Sequence, residues 1–305
     1  MARCACRPNK MTTVSNFQPG ILLPIPAHAR YLTYALRPGA NPRPALRALH
    51  GMADGMETLV GIGESLAQTL GTSIEGLRGF PQLAGAGIDI PTTPASLWIW
   101  ARGGERGELL HRSLRMEQAL APAFRPQQVV DGFRHMEGRD LTGYVDGTEN
   151  PKGARARAAA LVKGEAGIAG SSFVAVQQWV HQFDRFEVLT PRQRDHAIGR
   201  RRSDDVELKN APPSAHVKRT AQESFSPEAF VVRRSMPWAD STASGLMFIC
   251  FGATFDSFEV QLKRMLGLED GIADALFKFT RPVTGAYFWC PPMKRGRLDF
   301  SALGL

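Results

Sequence analysis

The sequence predicts an α+β protein of two ferredoxin-like (βαββαβ) domains, each an antiparallel sheet backed by helices. Three observations predict it. Short alternating, aromatic-rich runs of strand length recur in both halves of the chain. Segments with helical spacing separate them. The order strand, helix, strand then returns in the second half without any repetition of residue identity. A chain of 305 residues is long enough for two such units with well-buried cores.

Residues 1–20 read as a mobile tail. Residues 30–37 alternate and carry Tyr31 and Tyr34, which predicts a strand. Residues 44–52 follow as a helix. A second strand covers 58–63, punctuated by Gly61 and Gly63, and a short helix covers 64–70. Residues 95–102, with Trp98 and Trp100, alternate as a third strand, and 105–120 has helical spacing until Pro122 stops it. In the second half, strands are expected at 172–181, 230–234, 246–251 and 286–290, with helices at 191–200 and 257–266. The run 246–251 is almost continuously apolar, which implies burial on both faces. A glycine-rich, charged stretch from 131 to 152 and an alanine-rich run from 154 to 161 divide the halves. The expected division is an N-terminal domain over 21–140, a connecting segment over 141–170 and a C-terminal domain over 171–305.

Composition narrows the function. Hydrophobic residues make up 43% and charged residues 22%, ordinary globular values that exclude collagen, disorder and coiled-coil arrays. Four cysteines, Cys4, Cys6, Cys250 and Cys290, are too few and too scattered for a disulfide framework or a four-cysteine zinc site, which fits a reducing compartment. No apolar run reaches the length of a membrane span. Residues 1–10 are basic, but no signal-like apolar run follows, and the run 21–29 is broken by Pro24 and Pro26. A cytoplasmic protein is expected, with Met11 as an alternative start. The net charge of +8 has no accompanying aromatic-interleaved basic stripe, so a solvated basic surface is expected rather than a nucleic-acid partner.

The stretch that carries chemistry is 143–151, Gly-Tyr-Val-Asp-Gly-Thr-Glu-Asn-Pro. Locally, Asp-Gly and Asn-Pro are turn signals. Gly143 and Gly147 flank Asp146 and would let the backbone approach a flat ligand closely. This segment, extended back to Arg139, resembles the dye-decolourising peroxidases, a family of haem peroxidases whose hallmark Gly-x-x-Asp-Gly is met by Gly143, Asp146 and Gly147. It is most similar to the bacterial B-type branch. Further blocks carry the resemblance along nearly the whole chain: Gln18-Pro-Gly, Ile198-Gly-Arg200, Ser214-Ala-His216-Val, Arg233-Arg-Ser235 and Thr284-Gly-Ala-Tyr-Phe288.

The resemblance implies one haem b per chain, held in the C-terminal domain, with hydrogen peroxide as oxidant and a small or aromatic molecule, such as a dye or phenolic, as electron donor. His216 would be the axial ligand. Many family members have an aspartate where this chain has Lys278, so the partner of the other ring nitrogen is open between Asp274 and a backbone carbonyl. Asp146 would move the proton and Arg233, rather than Arg234, would stabilise the leaving oxygen. Neighbouring side chains on a strand point to opposite faces, so Ser235 would share the face of Arg233. Gly147, Thr148, Glu149, His181, Arg200, Leu246 and Phe248 would surround the haem, with Arg200 facing its carboxylates. Trp179, Trp238, Tyr287 and Trp289 are candidates for electron hopping by residue type alone. The family often forms homo-oligomers, and some members enter protein nanocompartments through a C-terminal tag. The tail 298–305 here is read as part of the fold instead. Two other classes stay open: a haem-handling protein with incidental activity, and a basic nucleic-acid binder without haem.

Overall fold

The computed structural model describes residues 15–305. The first half runs β1 (His28–Leu36), α1 (Arg43–Met52), β2 (Thr58–Ile62), α2 (Glu64–Thr69), β3 (Leu97–Gly103), α3 (Arg106–Leu120) and β4 (Phe124–Phe133). Helix α3 starts where the Glu105 carboxylate accepts hydrogen bonds from the Gly107 and Glu108 amides, both at 2.7 Å. It buries Leu109, Met116 and Leu120, spaced to share one face. The strands lie antiparallel in the order β2-β3-β1-β4.

The second half runs α4 (Gly153–Ala160), β5 (Ser172–His181), α5 (Phe183–Glu187), α6 (Pro191–Ile198), α7 (His216–Arg219), β6 (Val232–Arg233), β7 (Met236–Ala239), β8 (Ser244–Gly252), α8 (Asp256–Met265), β9 (Thr280–Pro282) and β10 (Ala286–Cys290). Its main strands follow the order β10-β5-β8-β7, the mirror listing of the first half, with β6 and β9 as short flanking ladders. Each half is thus a ferredoxin-like unit.

The two sheets join at both edges. Trp289 of β10 pairs with Ile62 of β2, and Gly132 of β4 pairs with Trp238 of β7. Because β5 also pairs with β8, the strands close into a ring. Closure removes free sheet edges, which otherwise invite aggregation. Inside the ring, Trp98 stacks on Phe288 at 6.0 Å between centroids and Trp100 on Phe251 at 6.3 Å, so aromatic rings from both halves share one interior. Such pairs add about 0.5–1.5 kcal/mol each beyond their burial. Alternation sends Leu97, Ile99 and Ala101 to the other face, under the helices.

Two expectations change. Residues 15–20 are built into the fold, while residues 1–14, with Cys4, Cys6 and the alternative start at Met11, lie outside the described residues. Gln18 is fully buried: its amide donates to the Val60 and Pro291 carbonyls and its Oε1 accepts from the Val60 amide. It thereby ties β2 of one half to the end of β10 of the other. The strands β4 and β7 were also missing from the sequence reading. Each carries a proline, Pro126 or Pro237, which argues against an interior strand. The C-terminal tail packs back, with Phe300 and Leu303 buried. Among the described residues no helix is long and apolar enough to cross a membrane.

Candidate active site

An opening lies on the outer face of the second sheet. It holds about 990 Å³ of empty space, its open mouth included. One wall is set by the two-residue period of the strands: Gln177, Trp179 and His181 from β5, and Leu246, Phe248 and Cys250 from β8. Helix α8 supplies Gln261, Leu262 and Met265, and the start of α7 supplies His216. The segment from Asp140 to Asp146 covers another side, and Arg233 reaches in from β6.

The two histidines of this cavity are held differently. His181 has both ring nitrogens engaged, Nε2 with Asp140 Oδ1 at 2.9 Å and Nδ1 with Thr280 Oγ1 at 2.7 Å. His216 is held through Nδ1 alone, 2.8 Å from Oδ2 of the fully buried Asp274. A carboxylate only accepts, so Nδ1 carries a proton, and in the neutral ring Nε2 then keeps its lone pair. Of the two alternatives left open by Lys278, the structure therefore has Asp274. Lys278 itself is exposed. The other Asp274 oxygen accepts from the Leu276 amide at 2.9 Å, which fixes the carboxylate as the cap of a 3₁₀ turn.

The loop bearing Asp146 is tied down at several points. Burial pushes the Asp140 carboxyl up, but hydrogen bonding and charge from His181, with two donors from Thr142, outweigh it and hold the group below its usual range. Tyr144, also on the cavity wall, donates to Asp195 Oδ1 of α6 at 2.6 Å, and burial followed by this carboxylate raises its pKa. Asn150 acts on the backbone of Arg233: its Oδ1 accepts from the Arg233 amide at 2.7 Å and its Nδ2 donates to the Arg233 carbonyl at 3.0 Å. One side chain thus fixes the loop of Asp146 against the strand of Arg233. Gly143 and Gly147 have φ of +87° and +80°, so both serve the turn itself. A Cβ on Gly143 would strike the Arg202 guanidinium at 2.3 Å. The expected close approach to a ligand is thus not the role of Gly143, which is packed under Arg202.

The structure brings Asp146, Arg233, His216, His181, Leu246 and Phe248 to this one cavity. Arg234 points the other way and donates to the Leu22 carbonyl at 2.8 Å. Ser235 is not on the wall; it is buried and its Oγ has no hydrogen-bond partner. Gly147, Thr148, Glu149 and Arg200 line an adjoining polar mouth, which shares Asp146, His216 and Arg233 with the cavity. Arg200 is already paired there with Glu149, and lies 3.5 Å from Glu207. Thr148 donates to Asp205 at 2.6 Å. Among the hopping candidates, Trp179 lines the cavity, whereas Trp238 donates to the Trp179 carbonyl, Tyr287 to Glu259, and Trp289 is fully buried.

Sequence reasoning missed Asp140 and Asn150. Both lie within or beside the quoted motif, but their partners are 41 and 83 residues away, so no local spacing could signal them.

Among the described residues, no group of three or more His, Cys, Asp or Glu side chains could cage a metal ion. A single available imidazole suits a metal that brings its other ligands with it, as a porphyrin does. The unpartnered, buried Nε of Arg233 and Nε2 of Gln177 leave polar capacity on the cavity wall.

Comparisons with known proteins agree with this geometry. The family model for the C-terminal part of Dyp-type peroxidases matches residues 137–295, the stretch that builds the cavity. The dye-decolorizing peroxidase of Rhodococcus erythropolis is 32% identical over 248 residues, covering 78% of this chain and 73% of that protein. The dye-decolorizing peroxidase of Mycolicibacterium paratuberculosis is 32% identical over 222 residues, covering 70% of this chain. The match spans 63% of that relative, less than two thirds of its length. A dyp-type peroxidase protein from Shewanella oneidensis superposes with a TM-score of 0.85 at 27% identity, over 95% of this chain and 98% of its own. The dye-decolorizing protein from V. cholerae superposes at 0.81 and 29% identity, over 89% and 96%. Rhodococcus jostii DypB, solved as a variant in complex with heme, shares the fold at 24% identity and a TM-score of 0.81. With the motif, the fold and the cavity in agreement with these relatives, the chain belongs to the Dyp-type peroxidase family.

Proposed function

We propose that this protein is a haem b peroxidase that uses hydrogen peroxide to oxidise small or aromatic donors. The observation that carries the reading is the asymmetry of the two cavity histidines. His181 has no nitrogen to spare, whereas His216 offers Nε2 with its Nδ1–H anchored on a buried carboxylate. That anchoring is the arrangement that raises the basicity of a ligating imidazole. Bound there, one haem b per chain would supply the ferric centre at which peroxide binds and through which electrons pass.

The chain's own residues do the rest. His216 would hold the metal through Nε2, with Asp274 keeping the ring oriented. Asp146 would take the proton from one peroxide oxygen and give it to the oxygen that departs. The Arg233 guanidinium would stabilise the charge that gathers on that oxygen. Leu246 and Phe248, on the cavity wall, would cover the ring and exclude water. Arg200 would hold the carboxylates of the cofactor, in competition with Glu149 and Glu207 for its guanidinium. In this reading residues 141–170 form the connecting segment that carries the proton-moving loop.

Steady-state peroxide turnover with a phenolic donor tests the assignment. Asp146→Asn and Arg233→Ala each lower kcat/KM by about a hundredfold or more while the haem spectrum persists. Equal, slow turnover in all three proteins would instead mark a haem-handling protein with incidental activity.

A further inference from the structure

We propose that Arg219 and Asp270 form a clamp that positions the His216 imidazole and so sets the strength of its bond to iron. The inference rests on the haem reading above and concerns positioning residues, since neither side chain lines the cavity.

Helix α7 is four residues long and begins at His216 itself. One turn has no stability of its own, so tertiary contacts must hold it. Arg219, three residues after His216 and on the same turn, is buried. Its guanidinium meets Asp270 through two hydrogen bonds of 2.7 Å each. The same group donates to the Arg264 carbonyl at the end of α8, from NH2 at 2.7 Å and Nε at 3.2 Å. All these contacts are made by one planar fork, which a lysine ammonium cannot reproduce.

Asp270 and Asp274 belong to a single short connection after α8. Asp270 receives Arg219, and Asp274 receives His216 Nδ1. Two side chains of α7 are therefore gripped by two carboxylates of one loop. That loop is closed on itself. The Asp270 carboxylate also accepts from the Ile272 amide at 3.0 Å, and the Asp274 amide donates to the Met265 carbonyl at 2.7 Å. The Ala275 amide reaches back to the Ser214 carbonyl at 2.8 Å, beside the start of α7. Releasing Arg219 frees one end of a two-point attachment. The imidazole then pivots about the remaining point, and its hydrogen bond to Asp274 loses its fixed direction. The hydrogen bond from Arg219, the largest contribution, lowers the Asp270 carboxyl to about 2, in keeping with a clamp that is closed at neutral pH.

The test uses the haem-loaded, full-length protein and two readouts other than turnover. One is the iron–histidine stretching band in the resonance Raman spectrum of the ferrous form. The other is the rate of haem release to excess apomyoglobin. Asp270→Asn and Arg219→Ala should shift the band to lower frequency, in the direction that Asp274→Asn shifts it but by less. Haem release should speed up about tenfold, the lower end for loss of an outer partner of a metal ligand. Arg219→Lys should fall between Arg219→Ala and the unaltered protein. Leu46→Ala, in the first half, should lower Tm without moving the band, which separates positioning from general stability. The clamp is overturned if Asp270→Asn and Arg219→Ala lower Tm yet leave band and release rate unaltered. Unaltered protein that takes up no haem overturns the functional reading instead.

Discussion

The two halves of this molecule share a strand order but differ in what covers the outer face of the sheet. In the first half, α1 and α3 lay Leu46, Leu49, Leu109, Met116 and Leu120 over Leu32, Ile99 and Ala101, and the face is sealed. In the second half, the connection from β5 to β6 holds α5, α6 and the single turn α7 across the long stretch from 182 to 231. The corresponding strands then present Gln177, Trp179, His181, Leu246 and Phe248 to a cavity instead of a helix. The frame itself carries no chemistry. One half spends its outer face on stability, and the other leaves room for a ligand by replacing a packed helix with short pieces that hold functional side chains. Function here lies in the site set onto the fold, and the fold's other copy serves as an internal control.

The largest effect expected from breaking this contrast is at His216. His216→Ala should abolish the haem absorbance of the purified protein and leave its far-ultraviolet circular dichroism intact, because the half-buried ring supports no core packing. Alanine at His181 should retain the absorbance, since both of its nitrogens are already engaged within the protein. Loss of the band in the His181 variant and its survival in the His216 variant would reverse the assignment.

Next comes stability. Leu46 is fully buried in the sealed half, so Leu46→Ala should cost about 2–5 kcal/mol in urea unfolding. Phe248 borders open space and is only half-buried. Phe248→Ala should cost less stability in the haem-free protein despite removing a larger side chain, while it perturbs the absorbance of the loaded one. A greater loss at Phe248 than at Leu46 would mean that the cavity face carries as much packing as the sealed face.

Acid should separate the halves more gently. The Asp140 carboxyl is depressed in the folded protein, and a group lowered on folding stabilises above its unfolded pKa. That contribution is complete above about pH 4. It disappears as pH falls through the lower, folded value. Asp270, held at about 2, behaves likewise. Both carboxylates anchor the cavity half. Pepsin at decreasing pH should therefore cut first within the loop 139–150, before α1 or α3 is touched. Simultaneous cleavage of both halves would count against a loop held by its charges.

How much of this was visible in the sequence depends on where the partners lie. Strands with unbroken alternation and apolar or aromatic content were legible to the residue, as at Ser172–His181 and Ala286–Cys290. The strands β4 and β7 were not, because Pro126 and Pro237 mask them. These two pair with each other through Gly132 and Trp238, so the ring closure was hidden together with them. In the candidate site, Asp146, Arg233 and His216 were singled out through a resemblance, and the choice of Arg233 over Arg234 rested on its spacing from His216 and on the Arg-x-Ser pattern with Ser235, while strand geometry lets only one of the two reach the site. Asp274 was named only as one alternative, and Asp140, Asn150 and Arg219 were not named. Each works through a partner at least 41 residues away, set by tertiary packing.

The smallest expected effect contrasts two adjacent arginines at the mouth. Arg200 is mostly buried and is surrounded by Glu149, Asp205 and Glu207, with a further hydrogen bond to the Asp205 carbonyl at 2.8 Å. Arg201 pairs only with Asp204, three residues on, and both side chains are about half exposed, at 50% and 45%. An exposed pair of this kind contributes little, because water screens the attraction and two long side chains lose freedom in forming it. Arg201→Ala should therefore leave urea stability, haem absorbance and turnover within error of the unaltered protein. Arg200→Ala removes the guanidinium that draws three carboxylates together, so it should leave the mouth more acidic and weaken haem retention. The comparison is sharp because the two residues have the same side chain and neighbouring positions, and differ in how much water reaches them and in how many carboxylates they meet. Equal effects from the two substitutions would show that the mouth is organised by its overall charge rather than by the buried arginine.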